Sequence, residues 1–217
     1  MIKDSILKII QTSALGRLIA GFYFLQKNHL TKSGWKKSVI TRLPLDKNGE
    51  ELPWFNYGFI YFLTPKLTKE HSIFEYGSGN SSIWFSKKVK KIVSVEHNEQ
   101  WFSRMKIVFT KHPNISYLYK DLESGSYQKE IVNYDKVFDI IVIDGRERVA
   151  CTLNCLGALK DEGVIIFDNS DRIKYLKAYD FLISAGFKRI DFYGMGPISA
   201  HASCTSVFYK DANCLSI

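Results

Sequence analysis

The segment Ile73-Phe74-Glu75-Tyr76-Gly77-Ser78-Gly79-Asn80-Ser81-Ser82 constrains this chain more than any other. An apolar run ends in an acid, two glycines follow, and small polar residues open what reads as a helix. Glycine tolerates positive φ and lets backbone approach a ligand without a Cβ in the way. The helix after the turn points its free N–H groups at whatever sits there. A buried strand running into such a turn is how an open α/β sheet holds a nucleotide-like ligand, beyond the carboxyl ends of its strands.

The following residues narrow the choice. Lys91-Ile92-Val93-Ser94-Val95-Glu96 reads as a second short strand ending in an acid. A carboxylate there can accept both hydroxyl protons of a ribose. A dinucleotide fingerprint wants a third glycine where Ser82 stands, and it does not ask for an acid before the first glycine. Apolar runs predict strands at about 73–76, 92–96, 115–118, 137–143, 163–167, 187–192 and 205–209, with helices at about 81–89, 99–111, 126–133, 148–159 and 171–185. Such alternation argues a parallel, doubly wound sheet. Phe138-Asp139-Ile140-Ile141-Val142-Ile143 is nearly all apolar, as a central strand covered on both faces should be. The last two strands lie too close in sequence for a crossover helix, so they pair antiparallel. The predicted fold class is therefore α/β: a doubly wound, mostly parallel seven-stranded sheet with a C-terminal antiparallel hairpin and an N-terminal helical extension. Residues 1–60 are expected to form that extension or lid, and residues 61–217 the Rossmann-like ligand-binding domain.

Acid-x-Gly-x-Gly, with a second acid closing the next strand, resembles motif I and its partner in class I S-adenosylmethionine (AdoMet) methyltransferases. The C-terminal hairpin is that family's mark and not the NAD-type arrangement. The resemblance covers residues 73–209. It implies AdoMet as cofactor, with Glu75, Gly77, Ser78, Gly79, Asn80 and Ser81 around its methionine part and Glu96 on its ribose. It also places His97 beside the adenine, where a surface histidine at a strand end is the alternative, and Asp121 at the adenine amine.

Strand 4 ends at Asp144 and strand 5 at Asp168-Asn169, and both ends should face the transferred methyl group. Two carboxylates and an amide are hard oxygen ligands suited to Mg²⁺. The set resembles that of the metal-dependent, catechol-type O-methyltransferases, which implies a metal site of Asp144, Asp168 and Asn169. That family's lysine base is absent; Glu147 occupies its position. Otherwise Asp144 faces the substrate or the sulfonium, and Asp168-Asn169 caps the following helix. The candidate catalytic residues are Asp144 and His201. The latter is a loop histidine with the right intrinsic pKa for a general base, or merely an exposed one.

The 217 residues are 46% apolar, enough for one sizeable core. Cys151, Cys155, Cys204 and Cys214 show no zinc spacing, and the first two, one helical turn apart, read as small core residues. Reduced thiols and the lack of a signal peptide predict a cytoplasmic protein, with peripheral contact at the inner membrane surface the option that the N-terminal helix adds. A net charge of +8 favours an acidic partner, or is a solvated face.

Ile2, Ile6, Ile9, Ile10, Ala14, Leu18, Phe22 and Leu25 recur at three or four residues, predicting an amphipathic helix of about 24 residues. It is expected to pack as a lid beside the acceptor pocket, to dock a second subunit in a homodimer, or to lie on an anionic membrane. Trp54, Phe55 and Tyr57 open an aromatic helix expected to wall that pocket. The expected function is AdoMet-dependent O-methylation of a small-molecule or glycan-like hydroxyl acceptor. A nucleic-acid methyltransferase is disfavoured, because neither an Asn/Asp-Pro-Pro-aromatic nor a Pro-Cys signature follows strand 4. A non-catalytic AdoMet-binding or membrane-associated protein is the third reading.

Overall fold

Ile140, Ile141, Val142 and Ile143 are fully buried, and they form the end of β4 (Phe138–Ile143). β-Branched side chains fit an extended, doubly covered strand. The computed structural model describes residues 12–217. The other strands are β1 (Ser72–Tyr76), β2 (Lys91–Glu96), β3 (Ile115–Tyr119), β5 (Leu159–Asp168), β6 (Lys188–Met195) and β7 (Ala202–Tyr209). They make one sheet in the order β3-β2-β1-β4-β5-β7-β6. β1 to β5 run parallel, and β7 pairs antiparallel with both β5 and β6.

Side chains alternate across β4, so Ile141 and Ile143 join one apolar layer and Ile140 and Val142 the other. The first layer includes Phe74, Tyr76, Phe167 and Phe208; the second includes Phe55, Phe59, Ile73 and Phe85. Each such side chain contributes about 1.5–3 kcal/mol on burial.

The helices are α1 (Ala14–Phe24), α2 (Trp35–Thr41), α3 (Tyr57–Leu63), α4 (Asn80–Ser86), α5 (Glu99–Phe109), α6 (Ser126–Lys129), α7 (Arg148–Asn154) and α8 (Leu176–Ser184). A π-helical turn, Leu25–Leu30, extends α1. The register sets the site. Glu75 lies opposite Val142 and Ser94, and Ile143 opposite Phe167. Asp144 and Asp168 therefore leave the sheet side by side, next to the turn after β1. β1 is also where strand order reverses, the place an open α/β sheet binds ligands.

All seven predicted strands are present. β5 begins at Leu159, earlier than expected, because its first residue pairs with Phe138 ahead of a register shift. Helix α2 was not expected: seven residues after Gly34 are too few to show a periodicity. Ile2, Ile6, Ile9 and Ile10 of the predicted N-terminal stripe lie outside the described residues. Its described members, Ala14, Leu18, Phe22 and Leu25, are exposed, and α1 buries Gly16 and Ala20 instead. Phe55 and Tyr57 are buried in the core, and Tyr57 borders a separate cavity with Lys32 and Tyr61; of the three aromatics only Trp54, which is exposed, borders the cavity beside Asp144 and Asp168.

Candidate functional site

The turn after β1 is shaped by backbone that only glycine adopts easily. Gly77 has φ +99°, and a Cβ there would meet the Asp144 carbonyl oxygen at 3.3 Å. Glu75, just before it, is buried beneath the turn and does not face the cleft. Its carboxyl accepts from Ser81 Oγ and Ser82 Oγ, both at 2.5 Å, and from Ser94 Oγ at 3.1 Å. Burial pushes its pKa up to about 7, against the pull of the three serine hydroxyls. Glu75 thus ties the start of α4 to β2 and fixes the loop, a supporting part where direct cofactor contact was expected.

Glu96 closes β2. Its Oε1 accepts from the backbone N–H of His97 at 2.9 Å and of Asn98 at 2.8 Å, and its Oε2 accepts from Ser78 Oγ at 2.8 Å. His97 Nδ1 lies 3.1 Å from Oε1. Glu96, His97, Gly77, Ser78, Ser81 and Asp144 border one cavity of about 280 Å³. On the other side of the glycine turn, Asn80 Nδ2 donates to the Pro44 carbonyl at 2.9 Å and Trp101 Nε1 to the Ser78 carbonyl at 3.0 Å. Arg42, Leu43, Pro44, Trp54 and Asp144 border a second cavity there, of about 190 Å³. Asp121 borders neither. Its carboxylate accepts from Ser124 N–H, which holds its pKa below the usual value and shapes the turn into α6.

The third cavity, about 500 Å³, is the largest of these three. Trp54, Asp144, Arg148, Asp168, Asn169 and His201 are among its lining residues. Asp144 lines all three. Arg148, the first residue of α7, is buried and reaches back under it. Its Nη2 donates to Asp144 Oδ1 at 3.0 Å and its Nε to the Gly145 carbonyl at 2.9 Å, while Nη1 donates to the Asp168 carbonyl. Asp168 accepts from Thr205 Oγ1 at 2.7 Å, and Thr205 Oγ1 accepts from Asn56 Nδ2 at 3.3 Å. Burial raises the pKa of both carboxyls; repulsion from Asp144 raises Asp168 further, and Arg148 opposes the rise at Asp144. The pair therefore retains a proton near neutral pH. His201 is exposed at the cavity rim, its backbone N–H bonded to Ser199 Oγ.

Three solved structures show a related arrangement of chain. Precorrin-6y C5,15-methyltransferase from Geobacter metallireducens is 19% identical, with a TM-score of 0.54 over 69% of this chain and 86% of that one. Spermidine synthase from Thermotoga maritima is 15% identical, TM-score 0.54, over 74% and 61% respectively. tRNA (m1A58) methyltransferase from Aquifex aeolicus is 15% identical, TM-score 0.53, over 74% and 70%. The chain has the class I AdoMet methyltransferase fold. No family model and no curated protein sequence matches it. One of the three similar proteins is named as a synthase, so the fold leaves the chemistry to the site.

Within this fold the expected metal set does not fit a divalent ion. Arg148 takes Asp144 Oδ1 and Thr205 takes Asp168 Oδ1. The guanidinium already compensates the two carboxyls and would repel a dication placed between them. The capping alternative fails too. Neither the 3₁₀ turn Ile173–Tyr175 nor α8 receives a side-chain cap, and Asn169 sits at φ +52° on the cavity wall. Sequence reading missed Arg148, Thr205 and Asn56. Asp144 ends a strand and Arg148 opens α7 after a left-handed Glu147, so their four-residue spacing is not that of a helical pair and gave no local signal. Nothing local marks the other two either, which arrive from distant elements.

Proposed function

We propose that this protein is an AdoMet-dependent methyltransferase acting on a hydroxyl of a small-molecule or glycan-like acceptor. The position of Asp144 carries the reading: it borders the cavity at Glu96, the cavity at the glycine turn and the large cavity beyond them. In this reading the cofactor's methionine part lies over Gly77–Asn80 and its ribose hydroxyls replace Ser78 Oγ on Glu96. AdoMet supplies an electrophilic methyl group on a sulfonium. The acceptor occupies the cavity of about 500 Å³, a volume ordinary for a small-ligand site.

The chain's own contribution is position and charge. Trp54 gives the acceptor an apolar wall. Arg148 holds the Asp144 carboxylate in place and favours its ionised form, while Asp168 keeps the proton of the pair. Ionised Asp144 is then the acceptor for the hydroxyl proton as the methyl group is transferred in line. In this reading His201, exposed at the rim of the same cavity, passes that proton on to water.

A nucleic-acid acceptor is the second reading, favoured by the likeness to a tRNA methyltransferase. The charge supports it less than the total suggests, because residues 43–217 hold 22 Lys/Arg against 21 Asp/Glu. The two separate in one experiment. The protein is incubated with methyl-labelled AdoMet and either total RNA or the low-mass and glycan fractions of a cell extract. Label in the second set alone supports the proposal. Label in RNA replaces it with the second reading, and label in neither, from protein that binds AdoMet, contradicts catalysis.

A further inference from the structure

Residues 12–42 carry six Lys/Arg and no Asp/Glu. The rest of the described chain is close to neutral, so almost all of the net charge sits at this end. The same segment exposes its apolar side chains. Around α1, Leu15, Leu18, Ile19, Phe22 and Tyr23 face outward, with Leu18 74% and Phe22 59% exposed. Ile40 of α2 is 82% exposed. An apolar face of this extent marks an association site. Lys27, Lys32, Lys36, Lys37 and Arg42 lie in the same segment, and among the described residues none of the five forms an ion pair.

Three partners can be weighed by chemistry. A second copy would bury the apolar side chains but would bring two strongly basic surfaces together. A nucleic acid would satisfy the cations and leave Leu18, Ile19, Phe22 and Ile40 in water. An anionic bilayer answers both halves: apolar side chains enter the acyl boundary while Lys and Arg meet headgroup phosphates. No helix among the described residues is long and apolar enough to cross a membrane.

We propose that residues 12–42 form a docking surface for an anionic lipid bilayer. The surface is built onto the site. Trp35 Nε1 donates to the carbonyl of Ser199, which lines the large cavity, and Arg42 and Leu43 line the cavity at the glycine turn. This docking does not depend on the methyltransferase reading.

The test is co-sedimentation of the full chain with vesicles of phosphatidylcholine alone or mixed with phosphatidylglycerol, at low and high salt. Binding should require phosphatidylglycerol and weaken at high salt. Lys36→Glu should lower partitioning at least fivefold, about the effect of one cation at such a surface. The Leu18→Glu, Phe22→Glu double variant should lower it tenfold or more, with an unchanged thermal melt showing that it folds. Three results would overturn the proposal. One is failure of the wild type to sediment with anionic vesicles. Another is retained binding by the double variant. The third is a dimer, or a complex with short single-stranded RNA, that the double variant abolishes while vesicle binding persists.

Discussion

Arg148 Nη2 stands 3.0 Å from Asp144 Oδ1 and 3.1 Å from the carbonyl oxygen of the same residue. Its other nitrogens bond the Gly145 and Asp168 carbonyls, so one guanidinium joins the ends of β4 and β5. Arg148→Ala would leave two carboxyls close together without their cation and three carbonyls without a donor. Removing one partner of a buried pair costs about 3–5 kcal/mol, and partial exposure of Asp144 reduces this to roughly 2–4 kcal/mol. Chemical denaturation of the variant should show that loss. Loss below about 0.5 kcal/mol, the range of an ordinary surface substitution, would contradict the role given to Arg148.

Asp144→Asn should lower methyl transfer by roughly 10²–10⁴-fold, the usual contribution of a positioned acid or base. AdoMet affinity should stay within about tenfold, or 1.4 kcal/mol. His201→Ala, at the exposed rim, should cost far less. Single-turnover rates with the labelled acceptor fraction separate the two residues; the reverse order would make His201 the base. Because burial raises the Asp144 pKa, the rate should rise with pH as that carboxyl ionises.

Glu75 makes stability depend on pH. Its folded pKa, about 7, lies above its ordinary value of 4.5, so the folded chain keeps a proton that the unfolded chain has released. Its stabilising contribution is full below pH 4.5 and is lost as pH rises to about 7. Across that window the wild type should lose roughly 3 kcal/mol relative to Glu75→Gln, whose amide cannot ionise. Parallel denaturation curves for the two proteins from acid to neutral pH would show that the carboxyl titrates normally.

Chelation should change nothing. Arg148 provides a positive charge on Asp144 and next to Asp168, so EDTA should leave both AdoMet affinity and methyl transfer within twofold of the untreated protein. Collapse of transfer in EDTA with recovery on adding Mg²⁺ would restore the metal set of Asp144, Asp168 and Asn169.

The strands were legible because their signals are local. The run 138–143 has a composition that only a doubly covered strand uses, and Gly77 marks a turn that other residues would strain. The short interval between the last two strands forced the hairpin. The acid at 75 was equally visible, but its direction was not. Whether a strand-end carboxyl faces a ligand or the serines of the next helix depends on partners at positions 81, 82 and 94. Asp168-Asn169 misled for the same reason: its neighbours Arg148, Thr205 and Asn56 come from α7, β7 and the cap of α3. The N-terminal stripe announced an apolar face but not what covers it.

The proposed AdoMet site is the cleft at Glu96 and the glycine turn. Titration calorimetry of the wild type and Glu96→Ala with AdoMet, its demethylated product and NAD tests it most directly. Both sulfur compounds should bind and NAD should not. Glu96→Ala should lose about 1.5–3 kcal/mol, the range for hydrogen bonds to a charged group. NAD binding, or AdoMet binding that Glu96→Ala leaves unchanged, would contradict it.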